Sequence, residues 1–433
     1  MSQVHHHGWQ VQALSPSSKA GQANSFEAGT LEGTQLTGSG LTLQQPVGAL
    51  DYTDPFVDGT TSTYHVAHWT SPLMASDFAF HELVSSWSAR TPPGTWVELS
   101  ARVAPPGSSE SSQCGDAAEG RTNRGGGQAD EGDWFVLGRW ADNTSTIHRT
   151  TLPGQHGASA YVDCDVLTAK DEAGFGSWQL RVSLHRAADT DATPYVLSVE
   201  AVVSRWAVAD GERSASQRPS VLPPTDSAAW GTVLDVPTYS QTLHRGEYPQ
   251  LNAGGEAWCS PTSTAMVLAY WRRGPSPADY AWVDSTYADP WVDHAAACTF
   301  DYGYDGCGNW SFNVAYAARF GLIARVTRLR SLEEAERFIA AGVPLIASVS
   351  FADGGLTGAG YSTNGHLLVL VGFTNDGDVV VNDPASHLVA SNDEVRTSYN
   401  REEFERVWLP TSGGTVYVIH PPEHPIVTEG QAR

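Results

Sequence analysis

The stretch Gly254-Gly255-Glu256-Ala257-Trp258-Cys259-Ser260-Pro261-Thr262 decides how the C-terminal half is read. A glycine pair gives way to a helix predicted over 263–273, closed by Gly274 and Pro275. Pro261 suits the first turn, whose N–H groups lack intrahelical partners in any case. Cys259 therefore stands at a helix start, where the dipole and free amides favour a thiolate and can also hold an oxyanion. A cysteine there is by itself more often a small buried residue, so the reading needs partners.

Two strands supply them. His366 follows Gly365 and opens the apolar run Leu367-Leu368-Val369-Leu370-Val371-Gly372-Phe373. Asp383 ends Asp378-Val379-Val380-Val381-Asn382-Asp383, and Asn375-Asp376-Gly377 between the runs reads as a hairpin turn. The hairpin returns Asp383 to the end of the sheet that carries His366. A two-residue turn would set Asp383 opposite Leu370, so a bulge or a longer loop is required. Thiol, imidazole and carboxylate are the residue types of a nucleophile, a general base and the group that fixes its tautomer.

Working outward, a helix is predicted over 331–341 with a capping-box pair at Ser331 and Glu334 and a stop at Gly342. Strands follow at 344–351, 367–373, 379–383 and 416–420, which gives an α+β domain over 232–425. Upstream, 209–231 is rich in Ser, Arg and Pro and reads as a linker. Residues 51–208 hold short alternating runs, such as Val97, Leu99, Ala101 and Val103 against Glu98, Ser100 and Arg102, and read as an all-β sandwich. A mobile insertion is expected at 105–132, and 1–50 reads as an arm or edge strands without assigned function. The fold class is thus multidomain, an N-terminal all-β sandwich followed by an α+β domain.

Composition narrows the partners. The chain has 433 residues, 41% of them hydrophobic, with 15 Trp, enough for packed cores. A formal charge of −23 repels phosphate backbones, so no nucleic acid is expected. The longest apolar runs fall far short of the roughly 20 residues that cross a bilayer, so no membrane span is expected. The first 20 residues are polar and show no signal peptide.

Five cysteines leave one over if two bridges form. Cys298 and Cys307 bracket a short loop as one disulfide candidate, Cys114 with Cys164 is a weaker second, and Cys259 then stays unpaired. That arithmetic favours an oxidising compartment and a secreted chain. His5, His6 and His7 read as a solvated terminal tract, and Asp289, Asp293 and His294 as loop residues. No cofactor and no metal are expected. Trp87, Trp96, Trp134 and Trp140 are read as core aromatics rather than a glycan-stacking face.

Four ordered motifs resemble one family: Val236-Pro237-Thr238-Tyr239-Ser240-Gln241, Trp258-Cys259-Ser260-Pro261-Thr262-Ser263, Gly365-His366-Leu367 and Asn382-Asp383-Pro384-Ala385-Ser386. They are similar to papain-like cysteine peptidases related to the bacteriocin-processing, double-glycine peptidases, in their stand-alone actinobacterial form. The resemblance implies a papain-like fold, Cys259 as nucleophile, His366 as base, Asp383 as orienter and Gln241 as side-chain donor of the oxyanion hole. Ser260 stands where the family usually has glycine, and Gln250 is an alternative to Gln241. The implied function is a cysteine peptidase acting on a peptide or protein, with glycan or cell-wall contact through the sandwich. The alternatives are an acyltransferase or cell-wall amidase using the same residues, and a secreted, non-catalytic binding protein.

Overall fold

The computed structural model describes residues 3–11, 24–57, 59, 61–107, 128–129, 134–205, 227–424 and 426. Most of the expected insertion at 105–132, most of the linker at 209–231, and Cys114 lie outside the described residues.

The N-terminal unit is built from two sheets, of nine and seven strands among the described residues. Its strands include β1 (Gln3–Gln10), β2 (Thr61–Thr70), β3 (Glu82–Arg90), β4 (Thr95–Ala104), β5 (Phe135–Trp140), the hairpin β6 (Ala160–Asp163) and β7 (Val166–Ala169), β8 (Phe175–Ala187) and β9 (Tyr195–Arg205). Strands β1, β3, β6, β7 and β9 lie in the larger sheet, and β2, β4, β5 and β8 in the smaller. Indoles join the layers: Trp9 on β1 meets Trp69 on β2 at 5.2 Å and Trp178 on β8 at 5.9 Å between ring centres. Trp87, Trp96 and Trp140 are buried in the core, and Trp134 is half-buried under the guanidinium groups of Arg102 and Arg181.

The first residues differ from the expected solvated tract. Strand β1 pairs antiparallel with β9 along its whole length. His6 Nε2 lies 2.7 Å from Glu200, and His7 Nε2 lies 2.6 Å from the Asn24 amide. A histidine run alternates faces in a strand as any polar run can, and here the partners are buried acid and indole.

The C-terminal unit places helices on an antiparallel sheet. Its helices are α1 (Cys259–Tyr270), α2 (Pro290–Thr299), α3 (Trp310–Ala318), α4 (Leu332–Ala340) and α5 (Arg401–Ser412). Its strands are β10 (Ile323–Arg328), β11 (Leu345–Phe351), β12 (Thr363–Phe373), β13 (Val379–Asn382), β14 (Arg396–Tyr399) and β15 (Thr415–His420), in the spatial order β10-β15-β11-β12-β13-β14. Strand β12 is covered on both faces, which explains its unbroken apolar run. Leu367, Val369 and Val371 pack with Met266 and Val267 of α1, while Leu368 and Leu370 pack with Leu332 of α4 and Trp408 of α5. Gly372 is required by close approach, since a Cβ there would sit 2.2 Å from the Thr232 carbonyl oxygen.

Three local expectations are corrected. Helix α1 starts at Cys259 itself, because the Thr262 N–H already bonds the Trp258 carbonyl at 3.0 Å. The capping box does not form: Ser331 makes no side-chain cap bond, and Glu334 accepts the Arg330 N–H at 2.8 Å instead. Asp293 and His294 lie in α2 rather than in a loop, behind Pro290 in the first turn of the helix.

The two units share one hydrophobic core. Phe312 of α3 packs against Trp87 at 6.0 Å and Trp140 at 5.4 Å. Gly138 makes room, since a Cβ there would lie 3.0 Å from the Phe312 ring. Buried polar groups cross the same boundary in satisfied pairs, as such groups must. Asp301 accepts the Thr151 N–H at 2.9 Å and hydroxyl at 2.7 Å, and Asp165 accepts the Ser311 N–H at 2.9 Å.

Candidate active site

Strand register brings the imidazole to the carboxylate. The β12–β13 hairpin pairs Phe373 with Val379 and Val369 with Asn382, with a bulge between Leu370 and Gly372. The bulge and the five-residue turn, 374–378, set Asp383 level with Leu368, two residues from His366. Diagonal cross-strand neighbours lie within reach of long side chains, and His366 Nε2 lies 2.8 Å from Asp383 Oδ1. The register problem posed by the sequence is thereby resolved.

Asp383 is fully buried and saturated with donors. The Tyr361 and Tyr399 hydroxyls each donate to Oδ2 at 2.7 Å, and the Ala385 N–H donates to Oδ1 at 3.0 Å. Burial pushes its pKa up, but His366 and these hydroxyls outweigh burial and hold the carboxyl below its ordinary range. The carboxylate in turn pushes both tyrosine hydroxyls upward, after burial itself.

The thiol completes the set. With Nε2 committed to Asp383, His366 stands beside Cys259 in the same cleft, and the two groups interact electrostatically. Burial raises the Cys259 thiol, but the hydrogen bond and charge of His366, with the Leu367 and Ser260 amides, bring it below its ordinary value. Burial lowers His366, and Asp383 followed by Cys259 reverses that and raises the imidazole to about 10. The favoured state is thus a thiolate–imidazolium pair with a carboxylate behind it.

Gln241 lies in the 3-10 turn Gln241–His244 and lines the same cleft as Cys259 and His366. Its Nε2 donates to the Glu256 carbonyl at 2.9 Å, and its Oε1 is buried with no hydrogen-bond partner among the described residues. Gln250 is exposed and does not line the cleft. Ser260, the residue after Cys259, is accommodated because its hydroxyl turns into the core and meets Tyr417 Oη at 2.9 Å.

The cleft has a volume of about 830 Å³. One wall comes from the N-terminal unit: Asp163, Cys164, Asp165 and Val166, the turn between β6 and β7, line it together with Cys259 and His366. Cys164 holds a left-handed φ of 51° there. Sequence reading missed this wall and the two tyrosines. Tyr361 and Tyr399 gave no signal, since one sits in an irregular loop and the other in an ordinary alternating strand.

The expected disulfides are corrected. Cys298 and Cys307 are free thiols: Cys298 Sγ lies 3.5 Å from His294 Nε2, one helical turn back, and Cys307 Sγ turns to the Ala296 carbonyl at 3.7 Å. Cys164 is also free, so cysteine counting gives no support for an oxidising compartment.

Residues 233–416 match the Peptidase C39-like family, and residues 17–115 and 117–204 match the Peptidase C39 N-terminal domain of actinobacterial type. No curated protein matches. Among solved structures, a Bacillus anthracis crystal structure provisionally titled a C39-like peptidase is 18% identical, aligned over 43% of this chain and 96% of its own, with a TM-score of 0.27. No helix among the described residues is long and apolar enough to cross a membrane. The family match supports a peptidase, and the chain belongs to the C39-like peptidases, with an actinobacterial C39 N-terminal domain joined ahead of the peptidase domain.

Proposed function

We propose that the protein is a cysteine peptidase of papain-like arrangement, with the nucleophile on a helix start and the base on the facing sheet. The Cys259 thiolate attacks a peptide carbonyl, and the Cys259 N–H with Gln241 Nε2 receives the oxyanion. The His366 imidazolium gives its proton to the departing amine as the C–N bond breaks, leaving a thioester on Cys259. Neutral His366 then takes a proton from water, whose oxygen attacks the thioester. Collapse releases the acid and restores the thiolate, while Asp383 keeps Nε2 protonated throughout.

One observation carries this reading: His366, hydrogen-bonded to the buried Asp383 at 2.8 Å, lines one open cleft together with Cys259. A degenerate binding protein has no need of a carboxylate held by four donors behind such a histidine. The test is a digest of a proteome-derived peptide library by wild type and Cys259→Ala, read by mass spectrometry. New termini that depend on Cys259 support the proposal. Equal products from both proteins overturn it, and products joined to added amines in place of water would reassign the chemistry to acyl transfer.

A further inference from the structure

A second cluster of ionisable groups lies behind the Gln241 turn, outside the cleft. His244 closes that turn, Glu247 follows three residues later, and Asp293 reaches in from α2. His244 Nδ1 lies 2.7 Å from Glu247 Oε2 and 3.3 Å from Asp293 Oδ2. All three residues are buried, and their three nearest ligand-type atoms lie within 4.8 Å of one another. Asp293 is 0% exposed, and neither of its oxygens has a well-formed hydrogen bond among the described residues. A buried carboxylate with idle lone pairs is costly unless something positive meets it.

Charge identifies that something. A neutral imidazole with two carboxylates carries two negative charges, and one divalent cation balances them. Four ligands at about 2.0–2.1 Å from zinc stand roughly 3.3 Å apart, the spacing already present between His244 and Asp293. The His244–Glu247 contact must open by roughly half an ångström on that same geometry, and the Glu247 and Asp293 oxygens lie within 4.8 Å of each other. One imidazole and two carboxylates, with no thiolate, suit Zn2+ better than a hard cation that prefers oxygen alone. Glu247 is the group nearest solvent, its side chain 10% exposed, and marks the way in.

We propose that His244, Glu247 and Asp293 form a structural site for a divalent cation of the zinc type. The ion ties the Gln241 turn to α2. Gly255, four residues before the nucleophile, packs against this turn so closely that a Cβ would lie 2.2 Å from the Gln241 carbonyl and 2.7 Å from His244 Cβ. The metal thus stiffens the segment that presents Gln241, without touching substrate.

The test uses the full chain carrying Cys259→Ala, which removes the cleft thiol as a rival ligand. Chelator-stripped protein is titrated with Zn2+ and followed by metal content and thermal unfolding, beside the same chain with Asp293→Asn. The expected result is one more equivalent bound than in the Asn variant and a melting temperature raised by several degrees only where Asp293 is intact. The difference between variants is read because an exposed histidine such as His5 offers zinc a rival ligand. Glu247→Gln, at the exposed edge of the cluster, provides a second variant and should weaken uptake more than tenfold. Equal uptake and equal thermal shift in all three proteins overturn the site and leave a buried imidazolium shared by two carboxylates.

Discussion

Two thiol–imidazole pairs lie in the C-terminal unit, and they differ in everything except their residue types. Cys259 opens a helix, lines the cleft, and faces a histidine whose far nitrogen is fixed by a buried carboxylate. Cys298 lies in the last turn of α2, and its partner His294 is held by the neutral Tyr316 hydroxyl at 2.9 Å. Burial raises the Cys298 thiol, yet His294, Arg319 and Arg149 bring it down to about 7. A lowered thiol pKa is therefore not what distinguishes a site. What distinguishes it is access, the helix end that supplies free amides, and a carboxylate that holds the imidazole in one tautomer.

The largest expected effect separates the pairs outright. Cys259→Ala should lower kcat for peptide hydrolysis by at least about four orders of magnitude, while Cys298→Ala should leave kcat unchanged. Equal losses, measured on one peptide substrate, would break the distinction. Asp383→Asn comes next, with a loss of about 10²–10⁴ in kcat because the imidazole loses its fixed tautomer. Among the described residues no carboxylate is hydrogen-bonded to His294, so no single substitution there should approach that loss.

Alkylation by iodoacetamide sharpens the contrast through pH. The ion pair exists above the lowered Cys259 value and below the raised His366 value of about 10, so labelling of Cys259 should extend to lower pH than that of an ordinary thiol. His366→Ala removes the partner that lowers the thiol, and the acid limb should move upward, with roughly tenfold slower labelling for each unit moved. Cys298 does not line the cleft and should label more slowly throughout. Folding stability carries the matching sign: His366 is raised above its ordinary 6.5, so its contribution is full below that value and is lost as pH rises through about 10. The gap in melting temperature between wild type and His366→Ala should therefore narrow above neutrality. The smallest effect is expected from Tyr399→Phe, which takes one donor from Asp383. It should lower kcat by roughly tenfold, about 1.4 kcal/mol, whereas Tyr316→Phe should leave kcat unchanged.

The grouping of Cys259, His366 and Asp383 was legible because each member carries a local signature: a proline-marked helix start, a histidine opening an apolar run, and an aspartate closing the facing run. Helices α2, α3 and α5 were not, because their apolar faces are short and mixed with buried polar groups such as Asp293 and Asn313. The shared core escaped for a different reason. Phe312 and Trp87 are separated by 225 positions, and nothing in a linear pattern marks two distant aromatics as neighbours. The disulfide expectation failed because loop closure in sequence says nothing of where two Cβ vectors point.

The turn 163–166 makes the cleft a joint product of both halves of the chain. Cutting the chain before Thr232 would leave Cys259, His366 and Asp383 together but strip one bank from the cleft and bare the Phe312 face to water. Such a truncated protein should aggregate or lose selectivity rather than act as a smaller enzyme. Evolution could equally retune which peptides are admitted by altering four residues in the half that holds no part of the trio.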